Sequence, residues 1–292
     1  MIDLHERLSE FSYGYGVTRE TEMLLEQTGL RAVPFLPSLI QENDLGFDVA
    51  FDRPGAALML QFKLGQSLTR FHRTDKSAPA PLLDRPFWRF SIDTAEPEGQ
   101  FETLLKAEHD GAEVYYTAPR FSDWPHYARV FERREVLDYS LLVRPSEIRA
   151  ALDAQGATDG THRIVYDRYR VHVCSEPRRV SEVDGDDAVA KIANIVRERE
   201  DPAGALLERI FNGLADRSIV RRAKTIETSD DALMQADDLG GRASAEYARL
   251  QRARRLADLT KRARTRDHAV AAAVGIELWT LGIQLIVAVE AD

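Results

Sequence analysis

Cysteine is nearly absent from this chain of 292 residues, which contains only Cys174. A lone cysteine cannot form a disulfide within the chain, and small secreted domains usually depend on disulfides for their stability. The first residues, Met-Ile-Asp-Leu-His-Glu-Arg, also lack the apolar core of a secretory signal. We therefore expect a cytoplasmic protein.

Several catalytic signatures are lacking as well. The sequence contains no Gly-x-Ser-x-Gly segment of the kind that presents a nucleophilic serine, and Cys174 has no recognisable catalytic partner. The histidines do not have the spacing of zinc ligands, and no paired Cys-x-x-Cys is present. These absences argue against serine or cysteine nucleophiles and against a zinc site; the histidines considered are His72, His109, His126, His162 and His172.

Glycine and proline are not enriched, with 17 and 12 residues, and the sequence has neither an internal repeat nor a low-complexity segment. The hydrophobic share of 44% and the charged share of 30% are ordinary for a globular protein. A chain of 292 residues can build one large domain or two modest ones, each with its own core.

Long apolar runs are also scarce, and the one candidate extends from Ala269 to Val289. A segment of this length could span a bilayer as a helix. Glu277 and Gln284 interrupt it, however, and Gly275 and Gly282 divide it. We predict a buried helix followed by a buried strand, and no contact with a membrane.

Positive charge is in deficit, with a formal net charge of -9. This balance is unfavourable for DNA binding, because affinity for phosphate comes largely from Lys and Arg. The one basic concentration is Arg249 to Arg266, which has eight basic residues and a single acid. It is compatible with the solvated face of an amphipathic helix or with a local nucleic-acid surface, for which the candidate residues are Arg249, Arg252, Arg255, Lys261 and Arg262. The acidic balance suggests control by a partner protein or by homo-oligomerisation.

The first part of the chain predicts a helix followed by a β-hairpin. Thr18 is a suitable N-cap, and Gly29 a suitable end, for a helix with acids in its first turn. Alternating apolar residues then predict strands at Phe47–Asp52 and Leu58–Leu64, joined by a turn at Arg53–Gly55.

Further elements follow in mixed order. We predict a strand at Phe87–Ile92, a helix at Glu98–His109 and a strand at Glu113–Thr117. Helices that separate strands favour an α/β or α+β core. Downstream, the predicted elements are a helix at Trp124–Phe131, a strand at Ser140–Val143, a hairpin within His162–Cys174, and helices from Ala188 onward with breaks near Asp201–Pro202 and Asp237–Gly241.

The predicted hairpin carries polar residues that suit metal-assisted hydrolysis of a phosphodiester. Asp48 lies thirteen residues before Gln61, and Lys63 follows Gln61 on the same strand face. Asp48 and the amide oxygen of Gln61 are ligand types that Mg²⁺ prefers, and Lys63 can orient a water or stabilise developing charge. Glu22 on the first helix could complete the site. The cofactor expected is Mg²⁺ or Mn²⁺.

These residues resemble the PD-(D/E)xK nuclease superfamily, and within it the restriction-endonuclease-like branch whose second motif is QxK, as in Mrr-type enzymes. The resemblance covers about the first 120 residues and implies an αβββαβ core. It implies that Asp48 and Gln61 bind the metal, that Lys63 is the catalytic lysine, and that Glu22, or less favourably Glu20, is the helix glutamate. Two departures stand out: Gly46-Phe47 precedes the aspartate in place of a proline, and glutamine leaves one fewer anionic ligand.

The resemblance implies a metal-dependent DNA endonuclease that acts in bacterial restriction or anti-phage defence. The predicted organisation is a nuclease domain with a β-rich extension at residues 1–180 and a mostly helical C-terminal region at residues 188–292. The alternative is a non-enzymatic adaptor or regulatory subunit built on an inactive nuclease-like fold. In that case Asp48 and Lys63 are a cross-strand ion pair, and Glu22 complements the helix dipole.

Overall fold

The computed structural model describes residues 8–36, 50–71, 80–95, 99–174, 177–214, 250 and 252–291, and they form a mixed α+β protein. The helices are α1 (Glu10–Gln27), α2 (Gln100–His109), α3 (Trp124–Arg133), α4 (Pro145–Asp153), α5 (Gly185–Glu198), α6 (203–214), α7 (252–262) and α8 (Arg266–Thr280). The strands are β1 (Leu30–Pro34), β2 (Gly55–Phe62), β3 (Gln66–Leu68), β4 (Phe87–Asp93), β5 (Glu113–Pro119), β6 (Ser140–Val143), β7 (Thr161–Tyr166), β8 (Val171–Cys174), β9 (Pro177–Val180) and β10 (Ile283–Glu290).

The first sheet has five strands in the order β1-β10-β2-β5-β6. Strands β2 and β5 are parallel, and the other neighbours are antiparallel. Every residue of β5 is buried, and so is every residue of β2 before Phe62. Strands with two buried faces have continuous apolar sequences rather than alternating ones, and Ala-Ala-Leu-Met-Leu in β2 is of this kind.

The second sheet, in the order β3-β4-β7-β8-β9, is antiparallel throughout. One face of the first sheet shares a hydrophobic core with this second sheet and with α2, and Phe90 stacks there on Tyr116 with ring centroids 6.2 Å apart. The other face of the first sheet packs against α1, α3 and α5. Burial of each large apolar side chain contributes about 1.5–3 kcal/mol before the cost of ordering the chain.

Helix α1 lies close to the carboxyl end of β2 because it carries glycine at the contact. A Cβ atom added at Gly14 would lie 2.7 Å from the ring of Phe62, and one added at Gly16 would lie 2.9 Å from the hydroxyl oxygen of Tyr127. Tyr13 meets the Phe62 ring edge to face. The first half of α1 is therefore held against the point where β2 leaves the sheet.

Many predicted elements are confirmed. The observed bounds of β6 equal the expected ones, those of β4, α2, β5 and α3 differ from them by one or two residues, and β7 and β8 form the expected hairpin. The chain breaks between α5 and α6 around Pro202 as expected, whereas the break predicted at residues 237–241 lies outside the described residues. Helix α8 and strand β10 are the buried helix and strand predicted for Ala269–Val289.

The start of the first helix was predicted incorrectly. Helix α1 begins at Glu10, and the side chain of Ser9 caps it by accepting a hydrogen bond from the backbone of Ser12. Thr18 is buried in the middle of the helix. The two glycines in Tyr-Gly-Tyr-Gly disfavour a helix locally, and the close packing that they allow overrides this preference. The predicted end at Gly29, which has a φ of 86°, is confirmed.

The predicted hairpin is wrong in its pairing. Residues 37–49 lie outside the described part of the chain, and Phe51 and Asp52 form a turn. Strand β2 has β10 on one side and β5 on the other. The predicted third strand, now β4, belongs to the second sheet rather than to a meander with β2. Strand β2 is buried on both faces, and its continuous apolar sequence does not indicate which strands pair with it.

The α+β class is confirmed, and the division into residues 1–180 and 188–292 stays a prediction. Strand β10 comes from the second of these ranges and pairs with β1 and β2 of the first. Within the described ranges, none of the helices combines the length and apolar character needed to span a membrane.

Candidate active site at the end of strand β2

Gln61 and Lys63 lie at the carboxyl end of the parallel pair β2 and β5. Gln61 pairs with Tyr116 and Phe62 with Thr117, and the backbone nitrogen of Lys63 donates to the carbonyl oxygen of Thr117 at 2.9 Å. The backbone of Lys63 is thus fixed by the sheet although the residue lies past the last residue of β2. In sheets with parallel strands, ligands commonly bind beyond the carboxyl ends of the strands.

The Lys63 ammonium is held by a chain of hydrogen bonds. Its Nζ donates to Oε1 of Gln100, the first residue of α2, at 3.1 Å. The Nε2 of Gln100 in turn donates to the carbonyl oxygen of Leu281, in the turn between α8 and β10, at 2.6 Å. Burial lowers the pKa of Lys63, and the nearby carboxylate of Glu10 opposes part of that change. A lysine with a lowered pKa is better suited to proton transfer near neutral pH.

Gln61 has an unsatisfied acceptor. Its side chain is on the same sheet face as Met59, and the residue is only 4% exposed. The Nε2 donates to the carbonyl oxygen of Phe62 at 3.1 Å, but Oε1 has no hydrogen-bond partner among the described residues. A buried polar atom without a partner costs about 1–3 kcal/mol. Most buried polar atoms are paired, so each exception requires a reason, such as a bound ion.

Glu10 is the carboxylate of this cluster that interacts electrostatically with Lys63. It is the first residue of α1 and is exposed, and its Oε1 accepts a hydrogen bond from the backbone nitrogen of Leu64 at 3.4 Å. It is also the charged group that favours the protonated form of Lys63. The sequence did not indicate Glu10, because the helix was expected to begin later, at Thr18. Gln100 was also missed, because nothing in the sequence relates it to Lys63.

The two helix glutamates that the sequence did indicate lie elsewhere. Glu22 is twelve residues beyond Glu10 on α1, which corresponds to about 18 Å along the helix axis. It is half-buried, and both this burial and the neighbouring Glu26 raise the pKa of its carboxyl group. Glu20 is buried and accepts backbone hydrogen bonds of 2.9 Å from Val136 and Leu137, so it anchors the segment before β6.

Asp48, the central metal ligand of the sequence-based hypothesis, lies outside the described residues. The structure thus brings together Gln61, Lys63, Glu10 and Gln100, and it places Glu22 about three helical turns from Glu10. The roles assigned to Asp48 and Glu22 stay predictions.

The basic stretch is partly neutralised within the protein. Arg252 and Arg255 on α7 both contact the carboxylate of Glu277, at 3.0 and 3.3 Å. Lys261 contacts Asp258 at 2.9 Å on the protein surface. Arg262 is exposed, and Arg249 lies outside the described residues. A nucleic-acid surface along this stretch stays a prediction.

No family model, curated protein or solved structure matches this chain. Any assignment of function therefore depends on the chemistry of the residues themselves.

The oxygen atoms at the end of β2 are of the kind that binds a hard divalent cation. The amide oxygen of Gln61 is without a partner, and the carboxylate of Glu10 lies at the same end of the strand. Such oxygen donors suit Mg²⁺, which keeps several of its own waters. In number the donors fall short, since the described part of the chain contains no group of three or more His, Cys, Asp or Glu residues able to hold a metal.

Proposed function

We propose that this chain is a metal-dependent nuclease that hydrolyses phosphodiester bonds in DNA, with Gln61 and Lys63 at the reacting centre. The observation that carries the proposal is the buried Oε1 of Gln61, an oxygen without a partner among the described residues, two positions before a partly desolvated lysine. On this proposal the chain is a QxK relative of the PD-(D/E)xK nucleases with a role in bacterial restriction or anti-phage defence.

In the proposed site, Gln61 would hold Mg²⁺ or Mn²⁺ through Oε1, together with Asp48 and the carboxylate of Glu10. When bound, the cation supplies polarisation of a phosphoryl oxygen and a more acidic water. Lys63 lies two residues from Gln61, and its Nζ can give up its hydrogen bond to Gln100 to stabilise the charge that develops on the phosphate. Gln100 is hydrogen-bonded to Leu281, and it holds the Lys63 ammonium in position before a substrate binds.

The second candidate is the non-enzymatic adaptor. The observation in its favour is the hydrogen-bond chain from Lys63 through Gln100 to Leu281, which also connects β2, α2 and the turn before β10. These hydrogen bonds alone give Lys63 a structural role, and a non-enzymatic adaptor requires no catalytic role from this lysine.

A cleavage assay separates the two candidates. Purified protein is incubated with supercoiled plasmid, linear duplex and single-stranded DNA in Mg²⁺, Mn²⁺ or EDTA. We expect cleavage that depends on the metal and that falls by about 10²-fold or more in Lys63→Ala and Gln61→Ala, since loss of one group that stabilises the transition state has effects of this size.

Arg209→Ala is the matched control, because this arginine is exposed on α6, pairs with Asp201 at 3.8 Å and lies outside both the candidate site and the basic stretch. Its cleavage rate should equal that of the wild type. Circular dichroism and thermal melting should show that both site variants are folded. The nuclease proposal is wrong, and the adaptor is favoured, if the wild type cleaves no substrate in any metal or if both site variants keep full activity.

A further inference from the structure

A groove lined by aromatic side chains lies beside the candidate active site. Its volume is about 370 Å³, and it lies between the first turns of α1, the end of β2 and the turn before β10. We call it the aromatic groove; its principal residues are Glu10, Phe11, Tyr15, Phe62, Trp279 and Ile283.

Three of these rings are unusually exposed. Phe11 is 77% exposed, Tyr15 56% and Trp279 41%. Phe11 and Tyr15 are four residues apart on α1, so they share one face of the helix. Large exposed apolar side chains that cluster in this way usually mark a binding site, whereas isolated ones need no explanation.

The size and composition of the aromatic groove fit a flat ring. Small-ligand sites have volumes of about 300–1,000 Å³, and the groove lies within this range. The exposed side chains at the groove are predominantly aromatic, and aromatic rings stack on nucleobases with little regard to sequence.

Glu10 connects the aromatic groove to the candidate active site. It lines the groove, and its carboxylate also accepts a hydrogen bond from the backbone nitrogen of Leu64. The same carboxylate favours the protonated form of Lys63. A phosphate held at Lys63 would therefore have its own or a neighbouring base next to the groove. The Glu10 carboxylate can accept a hydrogen bond from the exocyclic amino group of cytosine or adenine.

We propose that the aromatic groove binds an unpaired nucleobase of a single-stranded DNA whose phosphate lies at Lys63. This inference rests on the proposed nuclease function and names its substrate class. Bases of an intact duplex are stacked inside the helix and reach a protein pocket only when they are flipped out. Single-stranded DNA, or duplex with an unpaired region, is therefore the substrate of this site.

The test is a binding measurement that does not require cleavage. Fluorescence anisotropy is recorded with a labelled 20-nucleotide mixed-sequence DNA, as a single strand and as a duplex, in EDTA and in Ca²⁺. We expect the single strand to bind at least about tenfold more tightly, and Phe11→Ala and Trp279→Ala each to weaken it by about tenfold, which is within the range for loss of one stacking ring. Trp279→Phe should retain most of the affinity.

Trp124→Ala is the matched control. Trp124 is 44% exposed, like Trp279, but it lies on α3 and packs against Tyr127, outside the aromatic groove. Its single-strand affinity should be unchanged. Light scattering of wild type and Trp279→Ala is recorded in parallel, and equal masses are expected.

Three results would overturn the inference: equal affinity for the duplex and the single strand, unchanged single-strand affinity in both alanine variants, or a dimer that dissociates in Trp279→Ala, which would assign the groove to a second copy of the chain. These failures are distinct from failure of the nuclease proposal. Metal-dependent cleavage that requires Lys63, together with unchanged single-strand binding in both Phe11→Ala and Trp279→Ala, refutes the groove alone. Base binding without cleavage refutes the nuclease.

Discussion

Gln61 and Glu113 are buried polar residues at opposite ends of the parallel pair β2 and β5, and they differ in how fully their polar atoms are paired. Where β5 begins, Glu113 contacts Arg144 and Lys191, and the hydroxyl of Tyr115 donates to it at 2.9 Å. Arg144 also lies over the ring of Tyr115, 5.1 Å from its centroid. At the carboxyl end, and among the described residues, the Oε1 of Gln61 has no hydrogen-bond partner and the Nζ of Lys63 donates to Gln100.

This difference separates residues that hold the fold from residues that can act on a ligand. A buried charge with all its partners is already stabilised and gains little from another molecule. An unpaired buried oxygen destabilises the folded protein, and a bound cation or hydrogen-bond donor can remove this penalty. The Glu113 end is therefore structural, and the Gln61 end is the better place to look for chemistry.

The largest expected effect on stability comes from breaking the ion-pair network around Glu113. Arg144→Ala leaves Glu113, which is 6% exposed, with Lys191 as its only remaining ion-pair contact among the described residues. We expect the free energy of unfolding in urea to fall by about 3 kcal/mol, the lower end of the range for a broken buried pair. DNA cleavage per folded molecule should not change.

Arg266→Ala is the control for this measurement, because Arg266 and Glu208 form an ion pair with both side chains well exposed. Its effect on stability should be at most about 1 kcal/mol. Equal losses for Arg144→Ala and Arg266→Ala would remove the distinction between a buried network and a surface pair.

A second substitution, on the helix that carries Glu10, should displace that helix from the end of β2. Gly14→Ala should favour the helix locally by up to about 1 kcal/mol, but the new Cβ would lie 2.7 Å from the Phe62 ring. We expect a net destabilisation of about 1–3 kcal/mol, the usual cost of overpacking, measured by urea unfolding.

The double variant Gly14→Ala/Phe62→Leu provides the test of cause. The smaller side chain removes the clash, so the double variant should be more stable than the sum of the two single effects predicts. Strict additivity would show that Gly14 is not what allows α1 to approach the end of β2.

The structure also explains which parts of the chain could be predicted. Strand β4, helix α2 and strand β5 have clear apolar patterns, and a local pattern is sufficient to find them. Strand β2 was found as a strand but given the wrong partner, because a fully apolar strand contains no information about its neighbours. Its partner β10 lies more than two hundred residues later in the chain.

The candidate site was predictable only in part, for a similar reason. The spacing of Gln61 and Lys63 placed both on one strand face. Gln100 is 37 residues from Lys63, and Leu281 is 181 residues from Gln100. Contacts over such separations depend on the whole topology, and no pattern within a short segment indicates them.

The smallest expected effect on stability concerns Gln61 itself and compares the two ends most directly. Gln61→Leu replaces a buried amide, whose Oε1 has no partner in the described residues, with an apolar group of similar size. The variant loses the hydrogen bond from Nε2 to Phe62 but also loses the cost of the unpaired oxygen. We expect it to be as stable as the wild type or more stable by about 1 kcal/mol, and to lose metal-dependent cleavage. Glu113→Leu, which removes a satisfied group, takes from Lys191 its carboxylate and leaves Arg144 with Glu108 alone among the described residues, should be destabilised instead. If Gln61→Leu were destabilised as strongly as Glu113→Leu, the oxygen of Gln61 would be a structural acceptor, and the reason for placing chemistry at that end of β2 would be lost.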